Sequence, residues 1–145
     1  MTVASARSPL PLRAGALAVV AAVVLALAGC AASDSPITDY RGEPRGVEAP
    51  ASSAGGAPFA VWLRGGSRFA ITLYGSAGCP PVATGYQVTG SNAIQMTVPL
   101  VTNRPCDSGY IPHTTVFPTP SSIDAHRDLT ITAQQVRFTL AAMGR

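Results

Sequence analysis

The chain has 145 residues, 47% of them hydrophobic, and its ten basic and seven acidic residues give a formal net charge of +3. A chain of this length is one domain rather than a multidomain enzyme, and so few acids exclude a disordered acidic tail. A nucleic-acid-binding protein needs clustered positive charge to neutralise phosphates. This sequence has no such cluster, and two of its ten basic residues, Arg7 and Arg13, lie in the N-terminal segment 1–29.

Residues 1–29 have the organisation of a bacterial lipoprotein signal peptide. Arg7 and Arg13 supply a positive start, and an uncharged run rich in alanine, valine and leucine follows them, which is the order found in export signals. As a helix this run is about 22 Å long, shorter than the ~30 Å core of a bilayer. Leu27-Ala28-Gly29-Cys30 resembles a lipobox, in which a diacylglycerol is attached to the cysteine and cleavage falls just before it. Cys30 is therefore the predicted lipid attachment site.

Two alternatives stay open for this segment. An uncleaved helix extended through Ala31 and Ala32 would span the membrane, and a plain secretory signal would leave Cys30 without a lipid. Two acyl chains hold a protein on a bilayer, where one chain gives only marginal binding. Cys30 is accordingly interpreted as an anchor on the extracytoplasmic face of the cell membrane, and not as a ligand or a nucleophile.

Residues 30–57 are predicted to be a lipidated N-terminus followed by a flexible, disordered linker. The segment is rich in Ser, Pro, Gly and Ala, and its larger apolar residues Ile37, Tyr40 and Val47 are isolated. Such a stretch cannot bury enough apolar surface to repay its ordering entropy. As a coil it would span about 30 Å and hold the folded domain away from the bilayer.

Residues 58–145 are predicted to form a small all-β domain, because short runs of β-branched and aromatic residues alternate with Gly, Pro, Asn and Ser turns. The spacing indicates about seven short strands and favours an antiparallel, immunoglobulin-like β-sandwich. Segment 133–143 also satisfies helical spacing, but its composition favours a strand. The strands are expected at Phe59–Leu63, Arg68–Tyr74, Thr84–Thr89, Ala93–Leu100, Ile111–Phe117, Leu129–Thr132 and Val136–Leu140.

Eleven threonines lie between Thr72 and Thr139. Threonine suits a pleated surface and supplies polarity without charge. These residues are therefore interpreted as solvent-facing, with a carbohydrate-binding surface as the alternative.

Cys79 and Cys106 are the two cysteines that remain once Cys30 is assigned to a lipid. Thiols oxidise in an exported protein, so the pair is predicted to form a structural disulfide. Closing a loop of about 28 residues would destabilise the unfolded state by about 3.5 kcal/mol. A redox-active pair is the alternative, but the Cys-x-x-Cys spacing typical of such pairs does not occur.

The residues around these cysteines resemble a group of small exported proteins that are common in actinobacteria. In that group a Gly-Ser-x-x-Cys-Pro turn precedes a β-hairpin, and a second cysteine precedes a Pro-x-Thr-Thr-Val strand. The resemblance covers about Phe59 to Phe117 and implies a β-domain and an envelope location, with no catalytic residue. The matching segments here are Gly75-Ser76-Ala77-Gly78-Cys79-Pro80-Pro81-Val82, Cys106, and Pro112-His113-Thr114-Thr115-Val116-Phe117.

Two histidines are candidates for chemistry. His113 would need a carboxylate or a nucleophile within about 3 Å to act as a general base, and Asp107 is the acid nearest to it in the sequence. His126 lies between Asp124 and Asp128, and these three residues are weak candidates for a metal site. The alternative is a loop in which one acid caps a turn and His126 is solvated.

No hydrolase, metalloprotease, P-loop or dinucleotide motif occurs, and no cofactor is predicted. The sequence favours a non-enzymatic, membrane-anchored module that binds or supports a cell-envelope protein or cell-wall ligand. The alternative is a small-ligand or metal-binding module centred on Asp124, His126 and Asp128, with a hydrolase third. A partner-binding module predicts an exposed apolar patch, whereas a ligand module predicts that His126 and the two acids share a pocket.

Overall fold

A computed structural model describes residues 34–101, 103 and 105–144. The predicted signal peptide and Cys30 lie outside these residues. The described chain forms eight strands and one short 3-10 helix at Ala51–Ser53, with no α-helix among the described residues. The strands are β1 (Thr38–Arg41), β2 (Phe59–Leu63), β3 (Arg68–Ser76), β4 (Gly85–Gly90), β5 (Ala93–Thr97), β6 (Tyr110–Pro118), β7 (Leu129–Ala133) and β8 (Val136–Leu140).

The strands form a sandwich of two four-stranded sheets, which confirms the all-β prediction. The first sheet has the order β1-β6-β3-β2 and the second has the order β4-β5-β7-β8. All neighbouring strands are antiparallel except β5 and β7, which run parallel over the pairs from Ala93↔Thr130 to Gln95↔Thr132. In immunoglobulin nomenclature β2 to β8 correspond to strands A to G. The first sheet then contains A, B and E as neighbours, as in an immunoglobulin domain. Strand D (β5) differs, because it lies between C (β4) and F (β7) in the second sheet.

The main core lies between the two sheets. Alternate residues of β3 and β6 point into it, as the two-residue period of a strand requires. Three aromatic rings meet at its centre, with the ring of Phe117 centred 5.6 Å from Phe69 and 5.5 Å from Tyr86. The buried members are Ala60, Phe69, Ile71, Leu73, Ala83, Tyr86, Ile94, Met96, Phe117, Ile123, Leu129, Ile131, Ala133 and Leu140.

The first sheet is buried on its outer face as well. Five consecutive residues of β3, from Phe69 to Leu73, are buried, and an amphipathic strand would bury only every second one. The reason is a second apolar cluster of Phe59, Val61, Ala70 and Val116, against which Tyr40 and Ala49 pack. Residues 38–56, which were predicted to be linker, therefore cover this face. We name them the covering segment.

The interpretation of the threonines as solvent-facing is wrong for three of them. Thr72, Thr114 and Thr115 are at most 1% exposed, because the covering segment and the second sheet exclude water from both faces. The Thr114 hydroxyl donates to the carbonyl of Gly42 at 2.6 Å. It therefore accepts from the Thr72 hydroxyl, 2.9 Å away, so that these two buried hydroxyls have partners.

The linker prediction is also wrong for Thr38–Arg41, which forms the edge strand β1 beside β6. The amide of Ile37 donates to Val116 at 2.7 Å, and the amide of Gly42 donates to Pro112 at 2.9 Å. Local composition gave no sign of this strand, because its partner lies more than 70 residues away. The unpaired edge of β6 supplies the hydrogen bonds that the segment cannot make by itself.

Side-chain contacts attach the rest of the covering segment to the sheet. The Tyr74 hydroxyl donates to the Glu43 carboxylate at 2.7 Å, and burial together with this hydrogen bond raises the pKa of Tyr74 to about 12. The Tyr110 hydroxyl donates to the carbonyl of Gly56 at 3.1 Å. A Cβ at Gly56 would lie 2.5 Å from the Tyr110 ring, and the φ of +80° there also favours glycine. The ordered domain thus begins before residue 58.

We expect a chain that begins at Ala51 to be less stable than a chain that begins at Asp34. The shorter chain lacks β1 and Tyr40, so it exposes part of the outer cluster and leaves the edge of β6 unpaired, a loss of about 2–4 kcal/mol. Urea unfolding of the two purified chains measures the difference. Equal free energies of unfolding would contradict this account and restore the linker interpretation.

Candidate functional site

The predicted disulfide between Cys79 and Cys106 is present, with Cα atoms 5.4 Å apart. Cys79 follows the end of β3 and Cys106 precedes the start of β6. Because β3 and β6 are antiparallel neighbours, with Ser76 opposite Tyr110, their connecting loops leave the sheet side by side. The sheet register therefore brings the two cysteines within the range that a disulfide requires.

Asp107 organises the loops beside the disulfide. Its Oδ1 accepts a hydrogen bond from the Ser76 hydroxyl at 2.8 Å and another from the Gly78 amide at 3.0 Å. These hydrogen bonds, that of Ser76 above all, hold the pKa of Asp107 below its ordinary value, since they favour the charged carboxylate. Asp107 is therefore committed to this turn and is not the partner of His113.

His113 pairs instead with Asp39. Its Nε2 lies 2.9 Å from Asp39 Oδ1, and the His113 side chain is buried while that of Asp39 is half-exposed. The sequence did not predict this pair, because Asp39 lies on β1, in the segment that was predicted to be a linker. The other ring nitrogen, Nδ1, has no hydrogen-bond partner among the described residues, so the pair lacks the hydroxyl of a nucleophilic triad. The arrangement fastens β1 to β6.

The two acids in the loop that carries Asp124, His126 and Asp128 accept from backbone amides, one within the loop and one in the segment after β8. Asp124 Oδ1 accepts from the amide of His126 at 2.9 Å, and Asp128 Oδ1 accepts from the amide of Ala142 at 2.9 Å. This matches the capped-turn alternative. Within the described ranges, no group of three or more His, Cys, Asp or Glu side chains is placed to hold a metal ion.

Asn92, in the turn between β4 and β5, holds this loop in place, a role that the sequence did not predict. Its side-chain amide donates to the carbonyls of Asp124 at 2.8 Å and Arg127 at 3.0 Å, and its Oδ1 accepts from the amide of Asp124 at 2.8 Å. It has a φ of +58°, which asparagine tolerates in a tight turn. A turn position is a local feature of the sequence, whereas the partners of Asn92 lie more than 30 residues away.

An exposed apolar surface lies next to the disulfide, which we name the proline face. Leu100 is 80% exposed and Val101 is 43% exposed. Exposed apolar side chains that lie next to one another mark contact surfaces more often than single ones do. No residue of this face has an ionisable side chain. The face consists of Pro80, Pro81, Val82, Thr84, Pro99, Leu100 and Val101.

The local sequence explains why these residues stay outside the sheets. Pro80, Pro81 and Pro99 have no amide N–H, so they cannot donate to a strand ladder. Strand β5 was expected to reach Leu100 but ends at Thr97, two residues before Pro99. Val98 still packs against the core, but Leu100, which follows Pro99, is exposed instead of buried.

The shape of the proline face suits broad contact better than a small ligand. Two shallow grooves run along it, one of about 160 Å³ beside Gln134 and the disulfide and one of about 240 Å³ beside Val82 and Thr84. Both are smaller than the roughly 300–1,000 Å³ of typical ligand pockets. A partner-binding module was expected to expose an apolar patch, and this face does expose apolar side chains. A ligand module was expected to place His126 and the two acids in one pocket, but these residues line neither groove.

Comparisons with known proteins add no family to this picture. No family model matches the chain, and no curated protein or solved structure shows significant similarity to it. Among residues 34–101, 103 and 105–144, none of the helices has the length and apolar character to traverse a bilayer.

Reduction of the Cys79–Cys106 disulfide should lower the free energy of unfolding by about 3.5 kcal/mol and the melting temperature by more than ~10 °C. The cause is the greater freedom of the unfolded chain. Thermal unfolding with and without reductant measures the change, and the Cys79→Ser/Cys106→Ser variant, which reductant should not affect, is the control. Free thiols at both positions in the native protein would overturn the assignment.

Asp107 should contribute to the acid sensitivity of the domain. Its folded-state pKa is lowered, so its contribution is present above the unfolded pKa and is lost as pH falls below about 4. Asp107→Asn should therefore flatten part of the fall in urea midpoint between neutral and acidic pH. Ser76→Ala removes the principal donor and should act in the same direction. Curves parallel to that of the unsubstituted protein would show that Asp107 does not have this role.

Proposed function

We propose that this chain is an exported lipoprotein, anchored through Cys30 to the extracytoplasmic face of the cell membrane. Its β-sandwich then acts as a non-enzymatic binding or structural module of the cell envelope. The observation that carries the proposal is the Cys79–Cys106 disulfide. It uses two of the three cysteines in the chain and leaves Cys30, at the end of the lipobox, for the lipid. Disulfides persist in the oxidising compartments that such proteins reach.

The proline face supports binding as the role of the domain. It exposes apolar side chains beside a covalent crosslink, and none of its seven residues has an ionisable side chain that a contact would have to desolvate. A surface held in this way keeps its shape before contact, which lowers the entropy cost of binding.

The contacts of the candidate catalytic groups favour a binding role over an enzymatic one. The His113 imidazole is used to hold β1, and the Asp107 carboxylate is used to hold the turn before the disulfide. Asp124 and Asp128 each accept from a backbone amide, and among the described residues no three His, Cys, Asp or Glu side chains are grouped to hold a metal ion. For that reason we place the ligand or metal alternative second.

The resemblance to small exported actinobacterial proteins supports the proposed location. The residues that carry it are the end of β3, the two cysteines and most of β6. These are the parts that hold the proline face in position. The resemblance therefore concerns the scaffold of this surface.

Replacement of Cys30 tests the anchor. In cells fed an alkyne fatty acid, we expect the unsubstituted protein to be labelled and to sediment with membranes. Cys30→Ala should lose the label and either leave the membrane fraction or accumulate as an uncleaved precursor, because the acylated thiol is absent. A serine substitution outside the lipobox, Ser33→Ala, is the matched control and should behave like the unsubstituted chain. A mature protein that is unlabelled yet membrane-bound would refute the proposal.

A further inference from the structure

The ordered domain begins very close to the proposed anchor. The described chain starts at Asp34, four residues after Cys30, and β1 starts at Thr38. Four residues span at most about 14 Å even when fully extended. The first described residue therefore cannot lie further than this from the lipid-bearing residue. Residues 38–57 do not act as a spacer along their length, because β1 and the contacts of Glu43 and Gly56 tie them to the first sheet.

The chain enters the domain beside the proline face. The carbonyl oxygen of Asp34 lies 3.6 Å from the position that a Cβ at Gly85 would occupy. Gly85 is the first residue of β4, and the preceding residue, Thr84, belongs to the proline face. The amide of Thr84 in turn donates to Thr97 at the end of β5, at 2.9 Å, just before Pro99. The short connection to the lipid thus leaves the domain next to its exposed apolar surface.

We propose that the proline face rests on the lipid bilayer beside the anchor, with Leu100 and Val101 inserted at the boundary between headgroups and acyl chains. This inference rests on the proposed lipidation of Cys30. Apolar side chains gain from burial at this depth, and the Asp34 carboxylate, 3.9 Å from the Cβ position at Gly85, lies at the edge of the face, where headgroups and water can solvate it. A bilayer also fits the backbone of this face. Its three prolines offer no N–H, so fewer backbone donors lose water there than on an ordinary loop, and an added peptide strand would find few donors to pair with.

The opposite end of the sandwich should face away from the membrane. Strand β3 runs from Arg68 to Ser76, about 26 Å at the usual rise per residue. The proline face lies beyond its second end. Near its first end, the amide of Thr119 donates to Ser67 at 3.0 Å, and the exposed Ser121 follows two residues later. A probe at Ser121 is therefore a control for a probe at Leu100.

The test uses the full mature lipoprotein in vesicles of phosphatidylcholine and phosphatidylglycerol, with and without bromine atoms on the upper part of the acyl chains. Leu100→Trp, Val101→Trp and Ser121→Trp each add one tryptophan to the single native Trp62. All three positions are exposed, and far-ultraviolet circular dichroism checks that each variant is folded. Bromine quenches tryptophan only at close range, so emission reports which position lies within the bilayer.

We expect brominated lipid to abolish the additional emission of Leu100→Trp and Val101→Trp, and the emission maximum of both to be shifted to the blue in unbrominated vesicles. Ser121→Trp should keep its additional emission. Equal quenching at all three positions, or none at the two positions of the face, would overturn the inference. A blue shift without quenching that grows with the protein-to-lipid ratio would assign the face to a second copy of the chain, and this result would also overturn it.

The outcome separates this inference from the proposed function. A protein that carries the fatty-acid label but shows no quenching at Leu100 remains an anchored lipoprotein whose domain stands clear of the bilayer. A protein without the label fails the proposed function first. Fatty-acid labelling of each variant is therefore measured on the same sample.

Discussion

The pairing of β3 with β6 is the contact on which the rest of the domain depends. The two strands are in register over nine residue pairs, from Arg68 opposite Pro118 to Ser76 opposite Tyr110, and they are buried on both faces over most of that length. Burial on both faces demands two covers. The second sheet supplies one, and the segment that begins at β1 supplies the other. The same register places the Cys79–Cys106 disulfide at one end of the pair.

The second cover changes how the anchor and the domain are related. A composition rich in Ser, Pro and Gly is typical of a spacer, yet part of this segment completes the fold, through β1 and through the contacts of Tyr40 and Glu43 with the first sheet. Since these residues are used for stability, little chain remains to separate the domain from a lipid on Cys30. Under the proposed lipidation of Cys30, a surface beside that attachment would be brought to the bilayer, and the exposed apolar residues Leu100 and Val101 lie on that side.

The sequence predicted those features that depend on neighbouring residues. The bounds of β2 and β8 agree with the expected strands, because alternation and β-branched content are local signals. The disulfide followed from the count of cysteines. The pairing of Asp39 with His113 could not be predicted from the sequence, because 74 residues separate the two. The four-residue β1 also contains no apolar alternation that would mark it as a strand. Thr72 and Thr114 had the pattern of an exposed face, and only the covering segment makes them buried. Leu100 was misassigned because the strand period was continued through Pro99.

Amide hydrogen exchange is the most direct test of the central claim, that the chain after residue 34 is part of the folded domain. The amides of Ile37 and Gly42 donate to β6, so we expect them to be protected from exchange. Their protection should be lost together with that of the β3 amides, on global unfolding. Exchange of Ile37 and Gly42 at the rate of an unstructured chain, while β3 stays protected, would contradict the claim and make the segment a tether.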